Sequence, residues 1–219
     1  MKISNVIISC AILISGLIAQ EYQVGDHELL IMPTAYTMEA GQSYFSDYEL
    51  VFLNYTYAVT PSTHLGIFTL FPITKDFLET VTLGAKQKYI DSEFIKSAVW
   101  ITYTPKVSGL TIGNVLSFGK PSHGFHLGLA TASSFEEQTE EWPLIIMLGY
   151  RVDISGSLSF LAEYTNAQAS IEEGFNGLLS LGIRFRGESI SWELGGIRPL
   201  ESTGDFLFFP LLKATFLID

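Results

Sequence analysis

The sequence predicts an all-β fold, an antiparallel up-and-down barrel of about 12 strands that crosses a membrane. Three observations indicate this fold: apolar and polar residues alternate with a period of two after residue 26, the strands are long, and the length of a connection depends on its place in the chain. Beyond residue 26 no stretch shows the apolar stripe of an amphipathic helix. The 219 residues are 47% hydrophobic and 16% charged, which suits one domain with a sizeable interior.

Residues 1–19 have the composition of a secretory signal peptide, because Lys2 precedes an apolar run that ends at Ala19, before the polar residues "QEYQ". We expect cleavage near Ala19 and a barrel domain over residues 20–219. An alternative is that Cys10 marks a lipoprotein processing site, although apolar residues continue behind it. Cys10 is the single cysteine of the sequence, so the mature chain has no disulfide and must be stabilised by extensive hydrogen-bonded β-structure.

The alternation predicts the strands individually. Most are roughly 9–13 residues long, close to the ~9–11 residues that a tilted membrane-spanning strand needs. Their expected ranges are 27–38, 44–58, 63–72, 78–90, 94–104, 109–118, 123–133, 142–154, 157–167, 177–186, 189–198 and 206–218.

The connections between these strands alternate in length. Those after even-numbered strands are short: "TPST", "DSEF", "KPSH", "SGS" and "GE". Those after odd-numbered strands include "MEAGQSYFS", "PITKDFLE", "SFEEQTEE", "NAQASIEEGFN" and "RPLESTGD", and among them "PKVSG" alone is short. Membrane-spanning barrels have short turns at one end and long loops at the other. A β-sandwich, the alternative fold, gives no reason for this sorting.

The two faces of each strand differ in chemistry. In the predicted strand 177–186, leucine, isoleucine and phenylalanine alternate with serine, glycine and arginine. An apolar outer face and a polar inner face are what lipid outside and water inside select. Seven glycines, each directly after Leu or Ile, fall on the polar face, and we expect them to ease the curvature of the inner wall: Gly66, Gly84, Gly113, Gly128, Gly149, Gly182 and Gly195.

Two consecutive hairpins carry charges on the polar face. If Gly187 and Glu188 form a two-residue loop in "LSLGIRFRGESISWELGG", Gly182 faces Glu193 and Arg184 lies diagonal to that glutamate. The loop "SGS" places Glu163 diagonal to Arg151 in the same way.

With Lys213 on the last strand, these residues predict a ladder of alternating charge inside the barrel: Arg151, Glu163, Arg184, Glu193 and Lys213. The charges either stabilise a narrow, plugged interior or line a small water-filled pathway.

The signal peptide, the mature chain without cysteine, the even strand count, the loop pattern and the alternation resemble the transmembrane β-barrel proteins of diderm bacterial outer membranes. The resemblance implies an outer-membrane location, with membrane lipid and the barrel-assembly machinery as partners. The ending "KATFLID" is similar to the terminal strand that this machinery recognises, because Phe216 and Ile218 alternate. It differs in ending with Asp219 instead of an aromatic residue.

Three functions are compatible with the sequence. The first is a pore or channel for small solutes or ions, and the second is a structural or surface-interaction barrel. In the second, the acidic loops "SFEEQTEEW" and "ASIEEGFNG" would meet a partner or hold calcium loosely. The third is a membrane-embedded hydrolase that uses Ser117 and His126, which face each other across "GKPSHG" without an evident carboxylate to orient the histidine.

We favour the pore and expect no enzymatic activity, cofactor or metal site. The net charge of −11 argues against a nucleic-acid partner.

Overall fold

The alternating residues form 12 antiparallel strands that close into a barrel in a computed structural model of the chain, which confirms the predicted fold class. The structure describes residues 22–49, 51–71, 75–135, 142–166, 177–200 and 208–219. The expected signal peptide, residues 1–19, lies outside the described residues. The architecture is that of the outer-membrane β-barrels that the sequence resembles.

Each strand pairs with its neighbours in the chain, and the pairing of the first strand with the last, from Ser43 opposite Ile218 to Tyr48 opposite Lys213, closes the barrel. Two short 3-10 helices, Lys75–Thr80 and Pro105–Val107, lie in connections. Within the described residues, no helix combines the length and the hydrophobicity that crossing a membrane requires. The strands are β1 (Ser43–Tyr48), β2 (Phe52–Thr60), β3 (Thr63–Leu70), β4 (Thr82–Asp91), β5 (Ile95–Thr104), β6 (Gly109–Lys120), β7 (His123–Ser134), β8 (Leu144–Ser155), β9 (Leu158–Thr165), β10 (Leu178–Arg186), β11 (Ile190–Pro199) and β12 (Phe209–Ile218).

The two faces of the sheet have the expected chemistry. In β10, Ile183 and Phe185 face outward and are 37% and 45% exposed, whereas Ser180 and Arg184 face inward and are 4% and 0% exposed. An apolar exterior in contact with solvent would be unfavourable over a whole barrel, so this surface suits hydrocarbon.

The ends of the barrel differ in the length of their connections. We call the end with connections 61–62, 92–94, 121–122, 156–157 and 187–189 the short-turn end. The opposite, long-loop end carries 49–51, 71–81, 105–108, 135–143, 166–177 and 200–208. The first residue of β1, Ser43, and the last residue of β12, Ile218, therefore lie at the short-turn end.

The first predicted strand, residues 27–38, is wrong. Residues 22–38, which we call the inner segment, lie inside the barrel, where a single bridge between Glu28 and Pro33 is their only β-pairing. The apolar and the polar residues of this segment both contact the inner wall of the barrel, so their alternation does not reflect the two faces of a sheet. The inner segment leaves the barrel at the short-turn end and continues through residues 39–42 into β1.

The second predicted strand, residues 44–58, is two strands joined by a tight turn, which restores the count of 12. The turn uses Glu49 in the left-handed region, with φ of 57°, a conformation that is uncommon outside glycine. The predicted strand 78–90 begins later, at Thr82, because the 3-10 helix occupies its first residues.

The predicted register of the β10–β11 hairpin is also wrong. The Gly187 N–H donates to the Ile190 carbonyl at 2.8 Å, so the two-residue loop is Glu188 and Ser189, one position beyond the expected loop. Each residue of β10 is consequently paired with a residue of β11 that lies two positions further along the chain than expected. Arg184 lies directly opposite Glu193, and Gly182 lies opposite Gly195.

Candidate functional site: the barrel lumen

The inner segment folds back on itself as a small hairpin inside the barrel. The Leu29 N–H donates to the Met32 carbonyl at 2.9 Å, and the Thr34 N–H donates to the His27 carbonyl at 3.0 Å, so the tip lies near Ile31. Thr37 donates its hydroxyl to the Pro61 carbonyl at the short-turn end, 2.8 Å away. The hairpin therefore enters and leaves at the short-turn end and fills that half of the lumen.

Glycines of the wall make room for the apolar side chains of this hairpin. A Cβ atom on Gly182 would lie 2.8 Å from a methyl carbon of Leu30, and one on Gly149 would overlap Leu29 and lie 2.9 Å from the sulfur of Met32. Leu29 and Leu30 are 1% and 0% exposed. These glycines accommodate a second layer of chain inside the barrel, a role beyond the easing of curvature that the sequence suggested.

The register puts all seven predicted glycines on the inward face, but their neighbours differ. Gly113 lies beneath the indole of Trp100, where a Cβ atom would come within 2.5 Å of the ring. Gly84 is less crowded, because an added Cβ would make only ordinary van der Waals contacts, the nearest being 3.7 Å from a methyl carbon of Thr102. Gly66, Gly128 and Gly195 face Thr56, Met147 and backbone of β10, respectively.

Four charged side chains form one buried network. Arg184 Nε lies 2.6 Å from Glu193 Oε1, and both side chains are 0% exposed. Lys213 Nζ lies 3.0 Å from Glu28 Oε1 and 3.9 Å from Glu193 Oε2. Two cations and two carboxylates thus neutralise one another inside the barrel.

The two cations of this network also bind the backbone of the inner segment. Arg184 Nη2 donates to the carbonyls of Glu28 and Leu29 at 2.8 and 2.9 Å. Lys213 Nζ donates to the carbonyls of Leu29 and Leu30 at 2.9 and 3.1 Å. The charges of β10 and β12 therefore anchor the hairpin, so removing either cation affects both the ion pairs and the anchoring.

The expected contact between Arg151 and Glu163 is absent, although Gly149 lies opposite Glu163 as predicted. Arg151 instead pairs with Asp26 of the inner segment, Nη1 to Oδ1 at 2.5 Å, and with Asp153, Nε to Oδ1 at 2.9 Å. Glu163 accepts the backbone N–H groups of Ile31 and Met32 at 3.0 and 3.1 Å. Both residues bind the inner segment because the hairpin fills the space between them.

His27 links two side chains near the mouth of the hairpin. Tyr22 Oη lies 2.7 Å from Nδ1 and Glu28 Oε1 lies 3.0 Å from Nε2. Burial, with smaller contributions from Lys213 and Lys86, lowers the pKa of this inner-segment histidine against the opposing effect of Glu28. The neutral ring can donate from Nε2 to Glu28 and accept the tyrosine hydroxyl at Nδ1.

Ser117 and His126, the residues of the hydrolase hypothesis, are directly opposed, with Ser117 Oγ 2.8 Å from His126 Nδ1. The same oxygen accepts the Ala35 N–H at 2.9 Å, and both side chains are buried under the inner segment. Among the described contacts of His126 there is no carboxylate to orient it, and the inner segment covers Ser117. The pair anchors the hairpin, as His64 does by accepting the Met38 N–H at 2.9 Å.

The acidic residues of the two long loops cannot be placed in the same way. Residues 136–141 and 167–176, which contain them, lie outside the described residues. Calcium or partner binding by these loops stays a prediction.

A cavity of about 760 Å³ remains inside the barrel beside the inner segment. It extends from the long-loop end, where Phe52 and Phe209 line it, to His27 and His64 at the level of the hairpin. Its wall is contributed mainly by β1–β5, β11 and β12, and most of the side chains are apolar or aromatic, including Ile31, Pro33, Phe68, Trp100, Ile197 and Leu211.

Lys86 is the unusual group in this cavity. It faces inward on β4, between His64 of β3 and Trp100 of β5. Its ammonium donates to the His27 carbonyl at 3.3 Å and forms no ion pair with any carboxylate among residues 22–49, 51–71, 77–135, 142–166, 177–200 and 208–219. Glu28, which also lines the cavity, is held by Lys213 and by the Tyr48 hydroxyl at 2.7 Å.

The sequence singled out neither Lys86 nor the carboxylates of the inner segment. Lys86 has the same parity as Gly84, so the alternation already placed it on the inward face. No comparable signal identified Asp26 and Glu28, because Asp26 precedes the predicted strand 27–38 and Glu28 lies within it.

No protein-family model matches the chain, and no curated protein sequence does. Solved structures show distant similarity. A mutant of the Rh. blastica porin is 12% identical, with a TM-score of 0.40 over 76% of this chain and 55% of the porin. Acinetobacter baumannii OccAB3 is 12% identical, with a TM-score of 0.39 over 76% of this chain and 54% of OccAB3. Pseudomonas aeruginosa OccK11 is 12% identical, with a TM-score of 0.38 over 80% of this chain and 63% of OccK11. The chain thus matches little more than half of these longer proteins, and such distant similarity assigns it neither a family nor a function.

Proposed function

We propose that the protein is an outer-membrane channel for a small solute that rests closed, with the inner segment as its closure. The observation that supports this function most directly is the cavity, since about 760 Å³ of the lumen beside the hairpin is unfilled. Following the general arrangement of such barrels, the short-turn end would face the periplasm and the long-loop end the outside. Membrane lipid and the barrel-assembly machinery are the corresponding proposed partners.

The way in which the hairpin is held supports a closure that can open. Asp26 and Glu28 attach it through ion pairs with Arg151 and Lys213, and no covalent bond within the lumen fixes it among the described residues. Buried ion pairs gain little over hydrated charges, because desolvation offsets most of their attraction. Water that enters the lumen can replace these contacts, so displacement of the hairpin costs less than loss of an apolar core of the same size.

A structural barrel with a permanently filled lumen is the second candidate. The observation that favours it is the number of backbone groups of the hairpin that are bound by the wall, including the Ile31 and Met32 N–H groups on Glu163. The two candidates differ in conductance, since a permanently filled barrel does not pass ions under any condition that preserves its fold.

Current recordings in planar bilayers distinguish the two candidates. The channel proposal predicts rare openings for the wild type and a higher open fraction for Asp26→Asn combined with Glu28→Gln, which weakens the attachment. Glu39→Gln, an exposed carboxylate of the link to β1, is the matched control and should not change the open fraction.

A reversible lock provides the opposite perturbation. The Ala35 N–H lies 2.9 Å from Ser117 Oγ, so cysteines at these two positions lie within reach of each other, and residues 20–219 contain no other cysteine. The oxidised variant should not open, and reductant should restore the openings. If the wild type, the weakened variant and the reduced variant are all silent, the protein is a structural barrel.

A further inference from the structure

The cavity of the lumen combines two properties that together specify a ligand. Its walls are mainly apolar, with Phe52, Phe68 and Trp100 among them. Its inner end carries Lys86, whose ammonium has a carbonyl as its single hydrogen-bond partner among the described residues. We infer that the cavity binds an amphipathic monoanion, with a carboxylate-like head on Lys86 and an aliphatic tail toward the long-loop end.

The charge of the cavity favours an anion at this position. Its other charged residues are Glu28 and Glu49. Lys213 neutralises Glu28 at 3.0 Å, and Glu49 lies at the rim, where its Oε1 accepts the Leu212 N–H at 3.3 Å. Lys86 therefore lies at the inner end without an ion pair to any carboxylate that the structure describes, and a cation that is partly removed from water without such a partner is unfavourable. A ligand carboxylate would supply the missing partner in a charge-assisted hydrogen bond.

The shape of the cavity favours a long apolar tail. Its volume of about 760 Å³ falls within the range of small-molecule sites, ~300–1,000 Å³. Thr82, at the start of β4, lines it near the long-loop end, and Lys86 lies four positions further along the strand. At about 3.3 Å per residue the strand advances roughly 13 Å between them. The intervening inward residue is Gly84, which leaves the path in front of the wall clear.

This inference names the solute class of the proposed channel, and in that sense it rests on the proposed function. Binding itself requires no opening, so it is measured separately. The tail would contact the aromatic wall and the Ile31 side chain at the tip of the hairpin, which is 49% exposed.

Binding can be followed through Trp100, which lies opposite Lys86. The chain has three tryptophans, and replacing Trp142 and Trp192 by phenylalanine leaves Trp100 as the single reporter. In lipid nanodiscs, 2-bromododecanoate should quench its fluorescence saturably, with empty nanodiscs used to correct for partitioning into lipid. Unlabelled dodecanoate should displace the probe about tenfold or more better than octanoate, because buried methylenes contribute to affinity.

Three variants test the assignment of head and tail. Lys86→Met should weaken dodecanoate about tenfold to a hundredfold, the range expected for a hydrogen bond to a charged group, and should leave dodecanol within about twofold. Lys86→Arg should retain the preference for the anion. Gly84→Phe, which fills the cavity from a position where an added Cβ makes only ordinary van der Waals contacts, should abolish binding of both ligands.

Lys120→Met is the matched control, because Lys120 is an exposed lysine at the short-turn end, and it should have no effect on binding. The inference is overturned if quenching does not saturate, if dodecylammonium displaces the probe as well as dodecanoate does, or if Lys86→Met leaves dodecanoate unchanged. Binding by a barrel that never conducts would retain the site and refute the channel. Conductance without binding would retain the channel and refute this ligand class.

Discussion

The pair of Arg184 and Glu193 allows a quantitative test of how the lumen is stabilised. In the wild type, Arg184, Lys213, Glu193 and Glu28 sum to zero charge. Glu193→Leu leaves one excess positive charge in a site where both side chains of the pair are 0% exposed, and Arg184→Met leaves one excess negative charge. Each single change should cost about 3–5 kcal/mol of unfolding free energy, the usual effect of breaking a buried pair from one side.

The two single costs should differ because the partners differ. Arg184→Met also removes the hydrogen bonds to the Glu28 and Leu29 carbonyls at 2.8 and 2.9 Å, so its cost should lie at the upper end. Glu193→Leu removes a contact of 2.6 Å with Arg184 and a weaker one of 3.9 Å with Lys213. The double variant restores neutrality through Lys213 and Glu28 alone, so the double-mutant cycle should give a coupling of about 1–3 kcal/mol.

Urea unfolding in lipid vesicles, followed by tryptophan fluorescence and by heat-modifiable gel migration, measures the four free energies of the cycle. The exposed pair of Lys106 and Glu79, whose side chains are 56% and 52% exposed, is the control and should show a coupling of at most about 0.5 kcal/mol. A coupling between positions 184 and 193 as small as that of the control would refute the proposed network.

The remaining predictions concern the wall and the inner segment. Leu148→Arg, on the outward face, should cost about 2–4 kcal/mol, and Thr102→Arg, which faces the cavity, less than about 1 kcal/mol; equal costs in vesicle unfolding would mean that the faces are wrongly assigned. Gly149→Ala should cost about 1–3 kcal/mol through overlap with the inner segment, whereas Gly84→Ala should be nearly neutral, and the opposite order would contradict the packing described. Burial lowers the pKa of His27, so below about pH 6.5 the unfolded state binds more protons and stability falls as the pH decreases. His27→Gln should reduce this pH dependence between pH 7.5 and 5.5, and an unchanged slope would exclude His27 as its source.

The barrel could be predicted from the sequence because the residues of a strand face two different environments in turn, the apolar surroundings and the lumen. Ile183 faces the apolar surroundings and Arg184 faces the lumen, and this period of two continues along β10. The short connections were recognised by their position in the chain, since they follow the even-numbered predicted strands and alternate with longer loops.

The inner segment could not be predicted, because the same alternation arises when a hairpin is buried on several sides. His27, Leu29 and Ile31 alternate with charged and apolar residues, yet their partners are β-strands that lie far away in the chain. The turn at Glu49 was missed because a residue other than glycine adopts a left-handed conformation there. Neither feature has a local signal.

The lumenal contacts depend on the register of the strands, which was predicted correctly from the sequence for the β8–β9 hairpin but not for the β10–β11 hairpin. The β8–β9 pairing of Gly149 with Glu163 was predicted correctly. Arg151 nevertheless pairs with Asp26, because the inner segment, more than a hundred residues away in the chain, occupies the lumen. In β10 and β11 the turn moved by one residue, which converted a diagonal pair into a direct one.

The seam between β1 and β12 joins residues that are distant in sequence, and this has a consequence for how the barrel assembles. Bringing Ser43 to Ile218 closes a loop of about 175 residues, at an entropic cost of roughly 4–5 kcal/mol. The contact of Lys213 with Glu28 spans 185 residues and requires nearly the same closure. Once one of them has formed, the other closes a loop of only about 20 residues, at a lower entropic cost of roughly 2–3 kcal/mol. The inner segment thus acts as an internal tether that holds the last strand beside the first, and a change that loosens the lumen should also make the seam easier to open.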